Sequence, residues 1–180
     1  MGIELVNPID WDSITQQIDI EFGEGVTKAL LGDRVPVMVT KEKSSTFYAV
    51  PMDWMTRLNE VSEELDFQFI GKELGSLERG RFRLSLQVLS ELAEITHSFI
   101  IVSQQGAKAF TYGRSIIRES VLELNPSLVR GQRLLVLNEE RECLGIAALS
   151  VDASKLSRLG ADRLVAKNLV DVGWFLRRLG

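Results

Sequence analysis

The chain has 180 residues, 45% hydrophobic and 26% charged, with a formal net charge of −4; this is an ordinary globular composition, long enough for one large or two small domains. No apolar run approaches the roughly 20 residues of a membrane span. The opening Met1-Gly2-Ile3-Glu4 lacks the basic and apolar regions of a signal peptide, and Val6 stands where a myristoylation signal needs Ser or Thr.

Asn7-Pro8 is a helix start, a cap residue followed by Pro at the first helical position. Trp11, Ile14, Ile18 and Phe22 recur at helical spacing as one apolar stripe, and Gly23 and Gly25 end it. Residues 26–31 fit a short strand or a short helix. Gly32-Asp33 is a turn, residues 35–40 read as a strand, 41–45 as a polar turn and 46–50 as the returning strand. After Pro51, Asp53 caps a helix with Trp54, Leu58, Val61 and Leu65 on one face. Residues 67–70 form another short strand. Arg79, Arg81 and Arg83 alternate, so on a strand they would share one face. Leu84, Val88, Leu92 and Ile95 fit a helix that closes a first domain.

Residues 99–102, Phe-Ile-Ile-Val, are too short for a helix and read as a buried strand. Gly106 and Gly113 then bracket a helical turn. Gly106 is read as a backbone position closed to other residues, and Gly113 as a left-handed helix end. A strand is expected over 115–124, a turn over 130–133, a strand over 134–137, a polar turn over 138–141 and a strand over 144–149. A helix starting near Asp152 places Lys155 and Arg158, three apart, on one face. On a strand over 163–167, Arg163 and Lys167 point the same way.

Charge divides the chain. Residues 1–97 hold nine Lys and Arg against seventeen Asp and Glu, a net of −8; residues 98–180 hold twelve against eight, a net of +4. Such asymmetry between halves points to different partners, with a polyanion docking on the basic half. The single cysteine, Cys143, excludes an internal disulfide and a thiolate metal cluster, and a reducing, cytoplasmic compartment is expected.

The ordered series from Ser98 resembles a PUA domain, the RNA-binding fold named after pseudouridine synthases and archaeosine transglycosylases. Its features are a strand, Gly106-Ala107, Tyr112-Gly113, the Arg130-Gly131 step, an apolar strand, then Leu144-Gly145-Ile146-Ala147. Gly71-Lys72, Arg81-Phe82-Arg83-Leu84 and the ending Asp171-Val172-Gly173-Trp174-Phe175-Leu176-Arg177 add a narrower likeness. With them the chain resembles the Nip-seven family of large-subunit ribosome-biogenesis factors, found in eukaryotes and archaea. That resemblance implies an α+β protein. An N-terminal α/β domain, residues 1–96, would carry a mainly antiparallel sheet with flanking helices. A PUA-type, β-barrel-like domain would occupy residues 97–180. It also implies an archaeal, monomeric protein that binds pre-ribosomal RNA in uridine-rich single-stranded segments and acts in rRNA processing. Ribosome-assembly proteins and the exosome are the protein partners it implies. No catalysis, cofactor, metal or membrane is expected.

Single-stranded RNA needs cations for phosphates and flat surfaces for bases. The first candidate cluster is Lys155, Arg158, Arg163 and Lys167; family members carry basic residues in this region. The second is Lys108, Arg114 and Arg118, since in PUA domains the short helix and the strand after it contact RNA. Tyr112, just before the helix-ending Gly113, offers a ring that could stack on a base, but is read as core. Arg130 and Arg133 flank a turn within reach of phosphate.

Enzyme signatures are missing. His97 is the only histidine, and neither a P-loop nor a Gly-x-Gly-x-x-Gly motif occurs. Cys143 is expected to be buried and inert. Two other readings stay open. One is an RNA-modifying enzyme or its RNA-specificity subunit, with Asp33, Asp53 and Asp66 as unsupported acids. The other is a translation factor of the density-regulated type.

Overall fold

The computed structural model describes residues 2–41, 44–61, 70–174 and 177. The chain divides into two compact units, one of residues 1–20 and 24–92, the other of 21–23 and 93–180. Among the described residues no helix is long and apolar enough to cross a membrane.

The first unit carries a five-stranded sheet in sequence order: β1 (Gly2–Leu5), β2 (Arg34–Lys41), β3 (Ser44–Pro51), β4 (Lys72–Glu78) and β5 (Arg81–Leu84). Every pairing is antiparallel. Helix α1 (Pro8–Phe22) starts where Asn7 accepts the Ile9 N–H at 3.0 Å, and Ile14, Ile18 and Phe22 are buried along it. Residues 26–31 are helical, forming α2 (Val26–Leu31). The Asp19 carboxylate accepts the N–H groups of Gly25 and Thr27, which satisfies orphan donors at that helix start. In α3 (Trp54–Val61), Met55 and Leu58 are buried while Trp54 is 47% exposed. The expected stripe therefore turns toward Met55; the strand expected over 67–70 and Leu65 lie outside the described residues, save Ile70, which is buried but not in a strand.

Arg79 is not a strand residue. Arg79 and Gly80 both have positive φ, 51° and 76°, and Glu78 pairs with Arg81. That is the two-residue hairpin pattern whose twist matches the flanking strands. Arg81 and Arg83 stay on one exposed face of β5, and Arg83 pairs with Glu78 at 3.1 Å. The helix expected from Leu84 is shorter. Leu84 ends β5, Ser85 accepts the Gln87 N–H, a 3₁₀ turn spans Leu86–Val88, and α4 (Leu89–Ile95) follows.

The second unit is a curled six-stranded sheet. Its strands are β6 (Phe99–Val102), β7 (Ile116–Ile117), β8 (Val121–Leu124), β9 (Arg133–Leu137), β10 (Cys143–Leu149) and β11 (Leu164–Asp171). Their spatial order is β7-β11-β10-β9-β6-β8, antiparallel except for the parallel pair β6 and β9. The order explains the curl. β7 and β8 are at opposite edges, yet only the 3₁₀ turn Arg118–Ser120 joins them. From Ile117 to Val121 the chain can span no more than about 14 Å. The two edges must therefore come together, and the sheet rolls into a nearly closed barrel. The single strand expected over 115–124 is thus two strands with a corner, set by pairing at both edges. In β9, Leu134, Leu135, Val136 and Leu137 are all buried, as a strand covered on both faces requires. Leu134 and Val136 pack with Ile100, Val102, Phe110, Ala147, Leu149 and Val165 in one core.

Candidate functional site

Helix α5 (Gln104–Thr111) lies against β6, β7, β10 and β11. Ser103 caps its start by accepting the Gly106 N–H at 3.3 Å, and Gly113, with φ 87°, ends it in the left-handed region. Gly106 has a different role from the one read in the sequence. It sits inside the helix, and a Cβ there would lie 2.7 Å from the Ser120 Cβ. The residue is glycine because the helix presses on the barrel corner. Gly106 and Phe110 are buried inward, so Gln105, Lys108 and Tyr112, spaced i, i+3 and i+7, share the outer face.

That face borders a cleft of about 400 Å³, lined chiefly by apolar surface and by Gln105, Lys108, Ala109, Tyr112 and Arg114. A second cleft of about 310 Å³ runs from Gln105 past Arg114 to Glu119 and Ser120. Tyr112, expected in the core, is 67% exposed. The signal was in the spacing: once Phe110 is buried, a residue two further along the same turn cannot be. Among the described residues its side chain makes no hydrogen bond or ring contact.

The remaining candidate cations are strung along residues 114–118. At one end, Asn168 donates through its side chain to the carbonyls of Phe110 and Arg114, at 2.9 and 3.5 Å, which brings neighbouring Lys167 beside the Arg114–Ser115 step. At the other end, the Arg118 N–H donates to the Arg163 carbonyl at 2.9 Å. The Arg118 guanidinium donates to the Leu156 carbonyl at 3.0 Å. Leu156 belongs to the 3₁₀ helix Ala153–Arg158, in which Lys155 and Arg158 still share a side because i and i+3 eclipse. Arg163 and Lys167 do not follow the simple alternation expected. Arg163 precedes β11, Val165 and Ala166 are both buried, and Leu164 and Lys167 are exposed. The pairing with β7 shifts register between Leu164 and Ala166, which breaks the two-residue period.

Five of the seven cations, Lys108, Arg114, Arg158, Arg163 and Lys167, are exposed and make no ion pair among the described residues. Lys155 is engaged with Asp152 at 2.7 Å. That hydrogen bond, with the Arg130 N–H donated to the same carboxylate, holds the Asp152 carboxyl below its ordinary range. Arg133 pairs with Glu21 at 3.4 Å. His97 is exposed. Cys143 is half-buried at the start of β10, and desolvation pushes its thiol up to about 11.

A network that the sequence did not disclose, built on the buried Asp171 carboxylate, fixes α5. The side-chain N–H groups of Arg177 donate to both oxygens of Asp171, each at 2.9 Å, and one also donates to the Thr111 carbonyl. Asn168 bridges Asp171 and the Phe110 carbonyl. The last carbonyls of α5, which have no partner within the helix, are thereby satisfied.

A nearly closed six-stranded barrel with one helix across it, fed by a short strand and ending at an edge strand, defines the PUA class of domain. Residues 98–180, a little under half of the chain, match the UPF0113 PUA domain. A UPF0113 protein of Archaeoglobus fulgidus is 32% identical over 117 residues, a span covering 65% of this chain and 66% of that one, just under two thirds. Two solved archaeal proteins share the fold along the whole chain. A hypothetical protein of Pyrococcus horikoshii has a TM-score of 0.69 at 10% identity, and a conserved PUA domain protein of Thermoplasma acidophilum has 0.63 at 11%; each comparison covers 99% of both chains.

Proposed function

We propose that this protein is a non-catalytic RNA-binding factor of the Nip-seven type. Its PUA domain holds uridine-rich single-stranded segments of pre-ribosomal RNA during rRNA processing and large-subunit assembly. The observation that carries the reading is the set of five exposed cations, without an ion pair among the described residues, that runs from Lys108 through Arg114 to Arg158, Arg163 and Lys167 on a PUA fold. Unpaired cations keep their full field for phosphates, whereas those already matched to a carboxylate must give that partner up. Binding leaves the RNA intact. Residues 1–97, with a net charge of −8, face ribosome-assembly proteins rather than RNA.

The test is ultraviolet crosslinking in extract of cells that express the protein, followed by sequencing of the attached RNA and identification of the crosslinked peptide. The expected RNA is the large-subunit precursor, and the expected peptides fall within residues 104–118 and 153–167. Enrichment of another RNA class, or crosslinks confined to residues 1–92, would overturn the assignment.

A further inference from the structure

The α5 cleft has cations at its rim and an aromatic ring beside them, and phosphate binding uses only the first of these. Lys108 lies on the last turn of α5 and Tyr112 caps its C-terminal end four residues on, so the two are about one helical turn apart, roughly 6 Å along the axis. Arg114 lines the same cleft from beyond the helix end. The Tyr112 ring is two-thirds exposed without a partner among the described residues, next to a cleft lined chiefly by apolar surface. A large amphipathic ring left bare beside two unpaired cations matches one kind of ligand, which alternates charged groups with flat apolar ones at short spacing.

We infer that Tyr112 is a stacking platform for an unpaired nucleobase whose flanking phosphates are held by Lys108 and Arg114. The inference rests on the RNA-binding reading above and adds to it a base-contacting residue. Within a duplex both faces of a base are already stacked, so the arrangement selects a single strand, a loop or a free end. Contact through the ring face tolerates any base, because every base presents a π-surface. The cleft therefore contributes affinity for unpaired RNA, and little sequence preference.

The experiment compares two ligands of equal length and charge, oligouridine and an oligoribonucleotide with abasic sites through its central nucleotides. Each is titrated into the full chain carrying Tyr112, Tyr112→Phe or Tyr112→Ala. Loss of one stacked base is expected to weaken oligouridine binding to Tyr112→Ala by about 5- to 150-fold. Tyr112→Phe keeps the affinity, because the ring rather than the hydroxyl makes the contact. On the abasic strand all three proteins bind alike. Equal affinity of Tyr112→Ala and the parent for oligouridine would overturn the stacking role while leaving RNA binding intact. So would an equal loss on both strands, which would mark a disturbed helix rather than a missing base contact. Failure of the unaltered protein to bind either strand would overturn the RNA reading itself.

Discussion

Replacing Asp171 by Ala removes the acceptor that ties the chain's end to the last turn of α5. Asp171 is 2% exposed and accepts three hydrogen bonds, two from Arg177 and one from Asn168. A hydrogen bond to a charged group contributes about 1.5–3 kcal/mol net. The Arg177 side chain is about one-third exposed, however, and regains water when its partner goes, so its two bonds count at the low end or below. Asn168 keeps its bond to the Phe110 carbonyl. The loss expected for Asp171→Ala is therefore about 2–4 kcal/mol. For a chain of this length that lowers the melting temperature by roughly 5–15 °C. Native-state amide exchange locates the effect. The amides of α5 should lose protection ahead of those in β9, because the network holds the helix end and not the sheet centre. Asp171→Asn, which keeps the shape and one acceptor, should lose less. A change under about 0.5 kcal/mol in Asp171→Ala, the level of an ordinary surface substitution, would refute the reasoning.

Gly106→Ala puts a methyl group 2.7 Å from the Ser120 Cβ and should cost about 1–3 kcal/mol in urea unfolding; adding Ser120→Gly should restore part of it, and no rescue would show that the contact is not the cause. The Cys143 thiol, pushed up to about 11 by burial, is protonated at neutral pH. Its alkylation in the folded protein should be slow at pH 8 and accelerate only toward pH 11, whereas the unfolded chain should react near pH 9. Because the folded state keeps this proton to higher pH, Cys143 contributes stability below about pH 9 that is lost as pH rises toward 11. Arg79→Asn, at a φ of 51°, should stabilise the β4–β5 hairpin by roughly 0.5 kcal/mol, read as a shift in the urea midpoint.

The blocks that are apolar on both faces were legible without coordinates. Residues 99–102, 134–137 and 144–149 correspond to β6, β9 and β10, and the stripe Ile14, Ile18 and Phe22 lies on α1, because local pattern and tertiary burial agree there. Long-range pairing set the features that were missed. Ile116-Ile117 and Val121-Leu122 both fit a strand, and the corner at Arg118–Ser120 between them exists only because β7 and β8 join opposite edges. β1 is four residues long and is a strand through its partner β2. The exposure of Tyr112 depended on which side of α5 Phe110 occupies. The seven candidate cations could be nominated from charge, spacing and the PUA resemblance, but their grouping along residues 114–118 comes from Arg118 bonding to Leu156 and Arg163, contacts about forty residues apart in the chain.

The central claim is that unpaired cations around α5 neutralise RNA phosphates, and the salt dependence of binding measures it most directly. Titration of oligouridine from low to moderate salt gives a log–log slope that counts the phosphates neutralised, about 0.7 for each on a single strand. The Lys108→Ala, Arg114→Ala double variant should show a slope shallower by about 1.4, with weaker binding at every salt concentration. A slope and affinity identical to those of the unaltered chain would contradict the account.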